Sequence, residues 1–364
     1  MELAGKEQLE EFVDFGNSLY RENPYKRGTD EDILRILIGN ASFFHTHASV
    51  KAFLVYEEGR AIARFTLIHD RKLPEYVQVA FFEAKPDIAG LTDLMVAKAS
   101  ALFPRADKII AGMNGHIFYG AGFLLNRFDS PQPAGLPYSL PYYPDYFHGF
   151  NEKKLHSFHF PVQNFFRLRK KYAGHHEFDD IKVRCLNTKD LINELRIYTY
   201  LSNQSFRGHA YWSDRDYREE LEIFRSYRHI LTKNNLLFAE YKGNPVGFIF
   251  WFPDINELLK TNRAFTVWHL IRHKIFSPVR TFFFSTIGIL PDYRKTRVMH
   301  ALICALSDII EKTSYQFGEG GFVFEDNTRS MSMTNRYFTR ALGISAEPYR
   351  SLALYEKKIQ KPNF

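Results

Sequence analysis

Two acidic residues come directly after apolar, strand-like segments and are the first candidates for acid–base chemistry. Glu325 follows residues 321–324, and Asp254 follows the apolar run that ends at Pro253. A carboxylate at the end of a core strand is well placed to accept a proton from a substrate in a cleft. The same residue type also caps helices or lies solvated at strand ends. We interpret Glu325 as the first candidate for a general base and Asp254 as the second.

Histidine spacing gives little indication of a metal site. His175 and His176 are adjacent, and His269 and His273 have helical i, i+4 spacing. Neither pair has a third ligand at a spacing that is typical of a metal motif. The sequence therefore predicts no metal site.

The elements that must position the candidate residues occur twice along the chain. Residues 52–68 and 236–252 each contain two apolar runs around a charged, glycine-bearing turn, which predicts a β-hairpin. An aromatic strand and an amphipathic helix follow each hairpin, at 77–84 and 88–102 in the first copy and at 282–290 and 298–311 in the second. The repeat predicts two related domains, 1–173 and 174–364.

The later copy contains an insertion of roughly twenty residues between its second and third strands. It covers about 254–280, and part of it is both basic and aromatic, reading AFTVWHLIRHKIFSPVR. Such a segment could contact a membrane surface, an acyl carrier protein or RNA. A lid packed over the cleft is an equally good interpretation.

Composition is typical of a packed intracellular protein. The chain of 364 residues is longer than one ordinary hydrophobic core accommodates, and 45% of its residues are apolar. A net charge of +7 suits an anionic partner, although many proteins have similar values. Cys185 and Cys304 form no CxxC motif, and the sequence contains neither a leader-like N-terminus nor a membrane-spanning run. We expect a cytoplasmic protein with buried thiols.

From residue 181 onward, the order of elements resembles the GCN5-related N-acetyltransferase (GNAT) superfamily. The order is a strand, a Pro-x-Tyr-Arg turn at 291–294, a helix, another strand, Glu-x-Asn at 325–327, a helix ending in Leu342-Gly343, and a terminal aromatic strand. The chain is most similar to a bacterial group of tandem GNAT-like proteins. The matching motifs are Tyr142-Tyr143-Pro144, Phe128-Asp129-Ser130-Pro131, and Phe252-Pro253-Asp254 with Asn256. The resemblance implies an α/β (α+β) fold with two mixed, mostly antiparallel sheets flanked by helices.

The resemblance also implies a binding site for acetyl-CoA or another acyl-CoA in the second domain. In the superfamily, one strand of a splayed parallel pair hydrogen-bonds the pantetheine arm. The corresponding residues here are Ile287, Gly288, Ile289 and Leu290.

The turn that follows this strand would hold the cofactor's pyrophosphate at a helix N-terminus. The corresponding residues are Arg294, Lys295, Thr296, Arg297, Val298 and Met299. Arg297 and Met299 occupy positions that are usually small in the superfamily. The first domain has only Lys85 as a basic residue in its equivalent turn, so we expect that domain to bind no CoA.

The remaining candidate residues are also assigned by resemblance. The superfamily's usual catalytic tyrosine falls at Thr339, and Tyr337 is the nearest hydroxyl that could act as the acid. His209, Tyr211, Trp212, Asn256 and Asn327 are candidates for contact with the substrate, with packing under a loop as the alternative for the three aromatic residues.

The leading functional hypothesis is acyl transfer from a thioester, on CoA or an acyl carrier protein, to a small-molecule amine. Aminoacyl transfer from tRNA and a non-catalytic binding module are the alternatives. Salt-dependent tRNA binding would distinguish aminoacyl transfer from acyl transfer from a thioester.

Overall fold

The structure is a computed structural model of the chain. It describes residues 1–3, 6–29, 31–39, 42–173, 180–227, 229–260, 265–276, 279–335 and 347–359.

The described residues form nine α-helices and fourteen β-strands. The helices are α1 (Lys6–Leu19), α2 (Glu31–Ile38), α3 (Leu91–Leu102), α4 (Gln163–Ala173), α5 (Leu191–Phe206), α6 (Tyr217–Ser226), α7 (Val267–Phe276), α8 (Val298–Ile310) and α9 (Thr328–Asn335). The strands are β1 (Ala48–Glu57), β2 (Arg60–Asp70), β3 (Tyr76–Ala84), β4 (Lys108–Ala111), β5 (Phe123–Leu124), β6 (Asn151–Ser157), β7 (His159–Pro161), β8 (Ile181–Cys185), β9 (Leu236–Tyr241), β10 (Asn244–Pro253), β11 (Thr281–Ile289), β12 (Phe317–Gly320), β13 (Val323–Phe324) and β14 (Arg350–Lys358).

Both predicted hairpins are confirmed. β1 pairs antiparallel with β2, and β9 pairs antiparallel with β10. The two turns place Gly59 and Gly243 at positive φ, a backbone conformation that glycine adopts without a steric penalty. Both hairpins could be predicted locally, because each has two apolar runs on either side of a charged, glycine-bearing turn.

The strands form two mixed sheets. The first has the order β1-β2-β3-β4-β14-β6-β13, with β5 paired to β14, and the second has the order β7-β12-β11-β10-β9-β8. Each contains one parallel pair, β3 with β4 and β11 with β12, among antiparallel neighbours. The fold class predicted from the sequence is confirmed.

The two sheets exchange strands, so a division at residue 173 does not separate them. β14, from the C-terminal end of the described chain, lies between β4 and β6 in the first sheet. In return, β7 pairs with β12 in the second sheet. The consecutive strands β6 and β7 therefore belong to different sheets and are separated only at Phe158.

Each sheet has its own apolar core. Phe65, Phe82 and Met95 belong to the core that joins the first sheet to α3. Trp251, Phe282 and Leu302 belong to the core that joins the second sheet to α8. Among the residues that the structure describes, no helix is both long enough and apolar enough to cross a bilayer.

Candidate active site

The parallel strands of the second sheet diverge where the predicted cofactor strand begins. β11 and β12 pair from Thr281 with Phe317 to Phe284 with Gly320. Beyond this point β11 continues to Ile289, while the other strand crosses to the first sheet as β13. The splayed pair implied by the resemblance is therefore present.

A β-bulge lies at the point of divergence. Phe284 opposes Trp251 and Thr286 opposes Phe250, which leaves Ser285 without an opposing residue on β10. A Cβ atom added to Gly321 would lie 2.5 Å from the Ser285 carbonyl oxygen. Only glycine allows the departing strand to approach the bulge this closely. Bulges of this kind redirect backbone and side-chain groups next to active sites.

A cavity of about 520 Å³ opens at the divergence. Ser285, Thr286 and Gly321 line it, together with residues from both halves of the chain such as Phe118 and Phe250. Its volume falls within the range of about 300–1,000 Å³ that is usual for small-molecule sites. The walls are mainly aromatic and aliphatic, which suits a ligand with an apolar portion.

A buried ion pair supplies charge to this cavity. Arg215 and Glu220 both line it, both are almost fully buried, and the Arg215 guanidinium directly contacts the Glu220 carboxylate. Burial raises the pKa of Glu220 to about 7, against the opposing effect of Arg215. A carboxyl that titrates near neutral pH inside an apolar cavity is suited to general acid–base chemistry.

Neighbouring elements hold the ion pair in place. The Asn203 amide in α5 donates to the Arg215 carbonyl at 2.9 Å and accepts from its N–H at 3.1 Å. The guanidinium carbon lies 4.7 Å from the centre of the Phe118 ring. α6 begins with a capping box between Asp216 and Glu219, which fixes the first turn that carries Glu220.

A second buried network joins α6 to the first sheet. His47 Nδ1 lies 2.8 Å from Asp70, and its Nε2 lies 3.2 Å from Glu219. Burial lowers the pKa of His47, but Asp70 and Glu219 outweigh that effect and raise the pKa to about 9. The protonated imidazole thus bridges two carboxylates next to the cavity.

This network predicts a loss of stability at alkaline pH. The folded pKa of His47 is raised above the unfolded value of about 6.5, so its contribution is complete below pH 6.5 and disappears as pH rises through 9. Relative to His47→Gln, the wild type should lose on the order of 3 kcal/mol of unfolding free energy across this window. Urea denaturation from pH 6 to pH 10 measures the difference, and parallel curves for the two proteins would contradict the assignment.

The structure places Asp254 beside the cavity as a capping residue. Its side chain accepts hydrogen bonds from the N–H of Ala134 at 2.7 Å and of Asn256 at 3.2 Å. Burial raises the pKa of Asp254 to about 8, so the carboxyl is largely protonated at neutral pH. Asn256 lines the cavity and donates to the carbonyl of Gln132 at 3.3 Å. Both residues connect the second half of the chain to the long loop of the first half, which we define as residues 112–150 between β4 and β6.

Glu325, the first predicted base, is not part of the cavity wall. It is 60% exposed and lies 3.3 Å from His156 Nε2. Asn327 lines the cavity, and its side-chain oxygen accepts from the Ser330 N–H at the start of α9. Tyr337, the candidate acid, lies outside the described residues.

The three aromatic candidates separate into two groups. His209 and Trp212 line the cavity, and Trp212 donates its indole N–H to Asp214 at 3.1 Å. Tyr211 is buried, is not among the cavity-lining residues, and donates its hydroxyl to Glu356 at 3.0 Å.

The predicted cofactor strand is closely packed on one face. A Cβ atom added to Gly288 would lie 2.3 Å from the Phe248 ring and 3.0 Å from Ser205 Oγ. Ile287, Ile289 and Leu290 contact the core between the sheet and α8, and none of these four residues is among those that line the cavity. What the strand offers a ligand is therefore its backbone edge, which lacks β12 beyond Phe284.

The predicted pyrophosphate turn has an ordinary backbone. Arg294 donates to the carbonyl of Ile289 at 3.2 Å and to that of Ser205 at 2.6 Å, which ties α5 to β11. Arg297 precedes α8 with φ −83°, so this position does not need glycine for its conformation. Lys295, Thr296 and Arg297 are exposed.

The remaining residues of this turn belong to the helix itself. Val298 is the first residue of α8 and is fully buried, whereas Met299 is partly buried against the same core. The exposed side chains of Lys295 and Arg297 therefore lie beside the N-terminus of α8.

The equivalent gap in the first sheet is filled by the chain itself. Asn114 accepts from the N–H of Phe81, which lies at a bulge with positive φ. The Tyr143 hydroxyl accepts from the Ala84 N–H, and Tyr142 donates to the Ala84 carbonyl. The long loop thus satisfies backbone groups that a pantetheine arm would otherwise bind. That the first domain binds no CoA stays a prediction, with this packing as its physical support.

Sequence reasoning missed the buried ion pair that lines the cavity. Arg215 and Glu220 lie in the run SDRDYREELEIF, where the charge pattern is typical of a solvated helix face. The sequence did carry two signals of the strand divergence beside the cavity. They are the polar Ser285-Thr286 pair inside an otherwise apolar strand and the adjacent glycines at 320 and 321. Within the described part of the chain, no cluster of three or more potential metal ligands occurs.

Comparison with known proteins finds a curated relative by sequence and solved structures of similar fold. No protein-family model matches the chain. Protein YghO from Escherichia coli K12 is 25% identical over 271 residues, which is 70% of this chain and 66% of YghO, just under two thirds of its length.

Solved structures are similar over the whole chain at low sequence identity. A tandem GNAT protein from the clavulanic acid biosynthesis pathway matches with a TM-score of 0.56 and 12% identity, covering 100% of this chain and 99% of that one. A probable N-acyltransferase from Enterococcus faecalis V583 matches with a TM-score of 0.53 and 11% identity, covering 99% of this chain and 72% of that one. The chain therefore has the fold of tandem GCN5-related N-acetyltransferase proteins.

Proposed function

We propose that the protein is an N-acyltransferase that moves an acyl group from a thioester to a small-molecule amine. The observation that carries the proposal is the opening of the splayed β11–β12 pair into a largely apolar cavity that contains Arg215 and Glu220. The splay offers a thioester arm a backbone edge, and the cavity offers space for an acyl chain and an acceptor.

Glu220 is the general base in this proposal. Amine nitrogen attacks the thioester carbonyl, the C–N bond forms, and the C–S bond breaks. The neutral amine loses one proton to the Glu220 carboxylate, and Glu220 then gives this proton to the departing thiolate, so the products are an amide and a free thiol and the carboxylate is regenerated. Arg215 keeps part of the Glu220 population ionised near neutral pH, because its charge opposes the effect of burial on the pKa.

The thioester carrier in this proposal is CoA. The α8 N-terminus and the exposed side chains of Lys295 and Arg297 would bind its pyrophosphate, while Arg294 keeps α5 against β11. Met299 adds bulk near the turn, so the diphosphate would lie further from the backbone than a glycine-rich turn allows. An acyl carrier protein is the alternative thioester carrier.

Titration calorimetry with CoA, acetyl-CoA and a long-chain acyl-CoA tests the proposal first. We expect micromolar binding with a preference for a longer acyl chain, since the cavity walls are mainly apolar. Release of free thiol in the presence of a panel of primary amines then tests transfer. Binding without thiol release for any amine would favour the second candidate function, a non-catalytic binding module. The observation behind this candidate is that the bulky Arg297 and Met299 occupy the turn expected to bind the pyrophosphate.

Charge removal at the turn should weaken CoA binding. The double variant Lys295→Gln/Arg297→Gln removes two exposed cations without touching the Arg294 ties, and we expect roughly tenfold weaker binding at moderate salt. Lys189→Gln/Lys312→Gln, which changes two exposed cations elsewhere, is the matched control. Equal affinity of both double variants for CoA would sink the pyrophosphate assignment.

A further inference from the structure

Helix α7 presents a row of large apolar side chains to solvent. Trp268 is 79% exposed, Phe276 73% and Ile275 66%, and Ile271 is also exposed. Their spacing places all four along one face of the helix. Together, Trp268, Ile271, Ile275 and Phe276 form what we call the α7 stripe. Large apolar side chains grouped in this way on a surface indicate an interaction site.

The chain around the α7 stripe carries charge of one sign. Between Glu257 and Asp292 there is no acidic residue, whereas five basic ones occur, at Lys260, Arg263, Arg272, Lys274 and Arg280. Arg272 lies within the exposed face of the helix, and Lys260 and Arg280 are exposed near its two ends. An apolar stripe containing tryptophan and flanked by cations matches the boundary between anionic headgroups and acyl chains in a bilayer.

The two ends of this segment are anchored beside the cavity. Phe265, which precedes α7, lines the cavity. Val279, which follows it, is 1% exposed and packs in one cluster with Ala134, Ile255 and Leu258. The α7 stripe is therefore held close to the cavity rather than on a remote surface.

We propose that the α7 stripe docks the protein on an anionic phospholipid surface, with the cavity next to the bilayer interface. Exposed aromatic and aliphatic side chains would enter the interface, and the basic residues would face phosphate groups. If acyl transfer is the function, as proposed above, docking would let a lipid-like donor or acceptor exchange between the bilayer and the cavity. Docking itself does not depend on that reaction.

Vesicle flotation of the full chain tests the inference without any thioester. Vesicles of one-third phosphatidylglycerol and two-thirds phosphatidylcholine are compared with pure phosphatidylcholine. We expect the wild type to float with the anionic vesicles and to be released as salt increases. Trp268→Ser/Phe276→Ser should reduce partitioning roughly tenfold or more, because it removes two of the most exposed apolar side chains.

The matched control is Ile192→Ser/Tyr200→Ser, which removes two exposed large side chains of α5 and should leave flotation unchanged. Absence of wild-type flotation with the anionic vesicles would overturn the inference, as would equal flotation of the α7 variant. If the wild type formed a dimer without lipid and the α7 variant were monomeric, the α7 stripe would instead be a contact surface for a second copy of the chain. Since no thioester is present, each outcome leaves the acyl-transfer proposal to its own test.

Discussion

Replacing Glu220 by glutamine is expected to lower the rate of amine acylation by roughly 10²–10⁴-fold, the usual contribution of a positioned general base. Glutamine keeps the size of the side chain but cannot accept the amine proton. The cavity and the thioester edge of β11 would remain, so CoA binding should be nearly unchanged. Thiol release with the donor and amine identified by the binding and transfer assays measures the effect.

The pH dependence separates a base from a merely structural residue. The pKa of Glu220 is raised to about 7, so the wild-type rate should increase with pH up to this value as the carboxylate forms. In Glu220→Gln the inflection near pH 7 should disappear from the residual rate. A structural role would change the stability of the protein without removing this inflection.

Glu222→Gln is the matched control, because it alters a carboxylate on the same helix that is not among the cavity-lining residues. The Glu222 side chain accepts from the Ser42 hydroxyl at 2.6 Å and the Phe43 N–H at 2.8 Å. We expect a moderate loss of stability and an unchanged pH profile. A Glu220→Gln enzyme that keeps full activity with the wild-type profile would remove Glu220 from the mechanism.

The sequence predicted the parts of this fold that depend on local patterns. The hairpins β1–β2 and β9–β10 have apolar runs on either side of a glycine-bearing turn, and the helices α3 and α8 have apolar residues at helical spacing. Both patterns predict local structure directly. The position of β14 between β4 and β6 could not be found in this way, because it depends on which distant strand offers free edges.

The site shows the same division between local and distant information. The splayed strand was predicted, since β11 and its turn match a family motif within about fifteen residues of sequence. Arg215 and Glu220 were not, because their burial results from packing between α6 and the first half of the chain. The Tyr142-Tyr143 motif supported the resemblance, but only the structure shows that its hydroxyls occupy the strand gap of the first sheet.

Replacing Arg350 by methionine is expected to destabilise the protein by about 3–5 kcal/mol, the usual cost of leaving a buried charge without its partner. Arg350 begins β14 in the first sheet, and its Nε donates to Glu319 of β12 in the second sheet at 2.8 Å. Its Nη2 donates to the Pro131 carbonyl at 2.8 Å, and Ser157 donates to the same glutamate at 3.2 Å. Both charged side chains are buried, so the pair ties the sheets together where they exchange strands.

The loss should depend on pH in a direction fixed by Glu319. Burial raises the pKa of this carboxyl even with Arg350 present, and removing the arginine raises it further. The pKa of Glu319 in the folded variant lies above the unfolded value of about 4.5, so the folded state binds this proton more tightly than the unfolded state does. The variant should therefore lose stability as pH rises above about 4.5. Urea denaturation at pH 5 and pH 8 measures the difference.

Two further variants distinguish the buried pair from ordinary surface charge. Lys153→Met removes the partner of Asp326 in an exposed pair 3.7 Å apart and should cost less than about 1 kcal/mol. Arg350→Met/Glu319→Gln should recover part of the loss, because no charge is left buried. If Arg350→Met cost no more than Lys153→Met at both pH values, the pair would not be what holds the exchanged strands together.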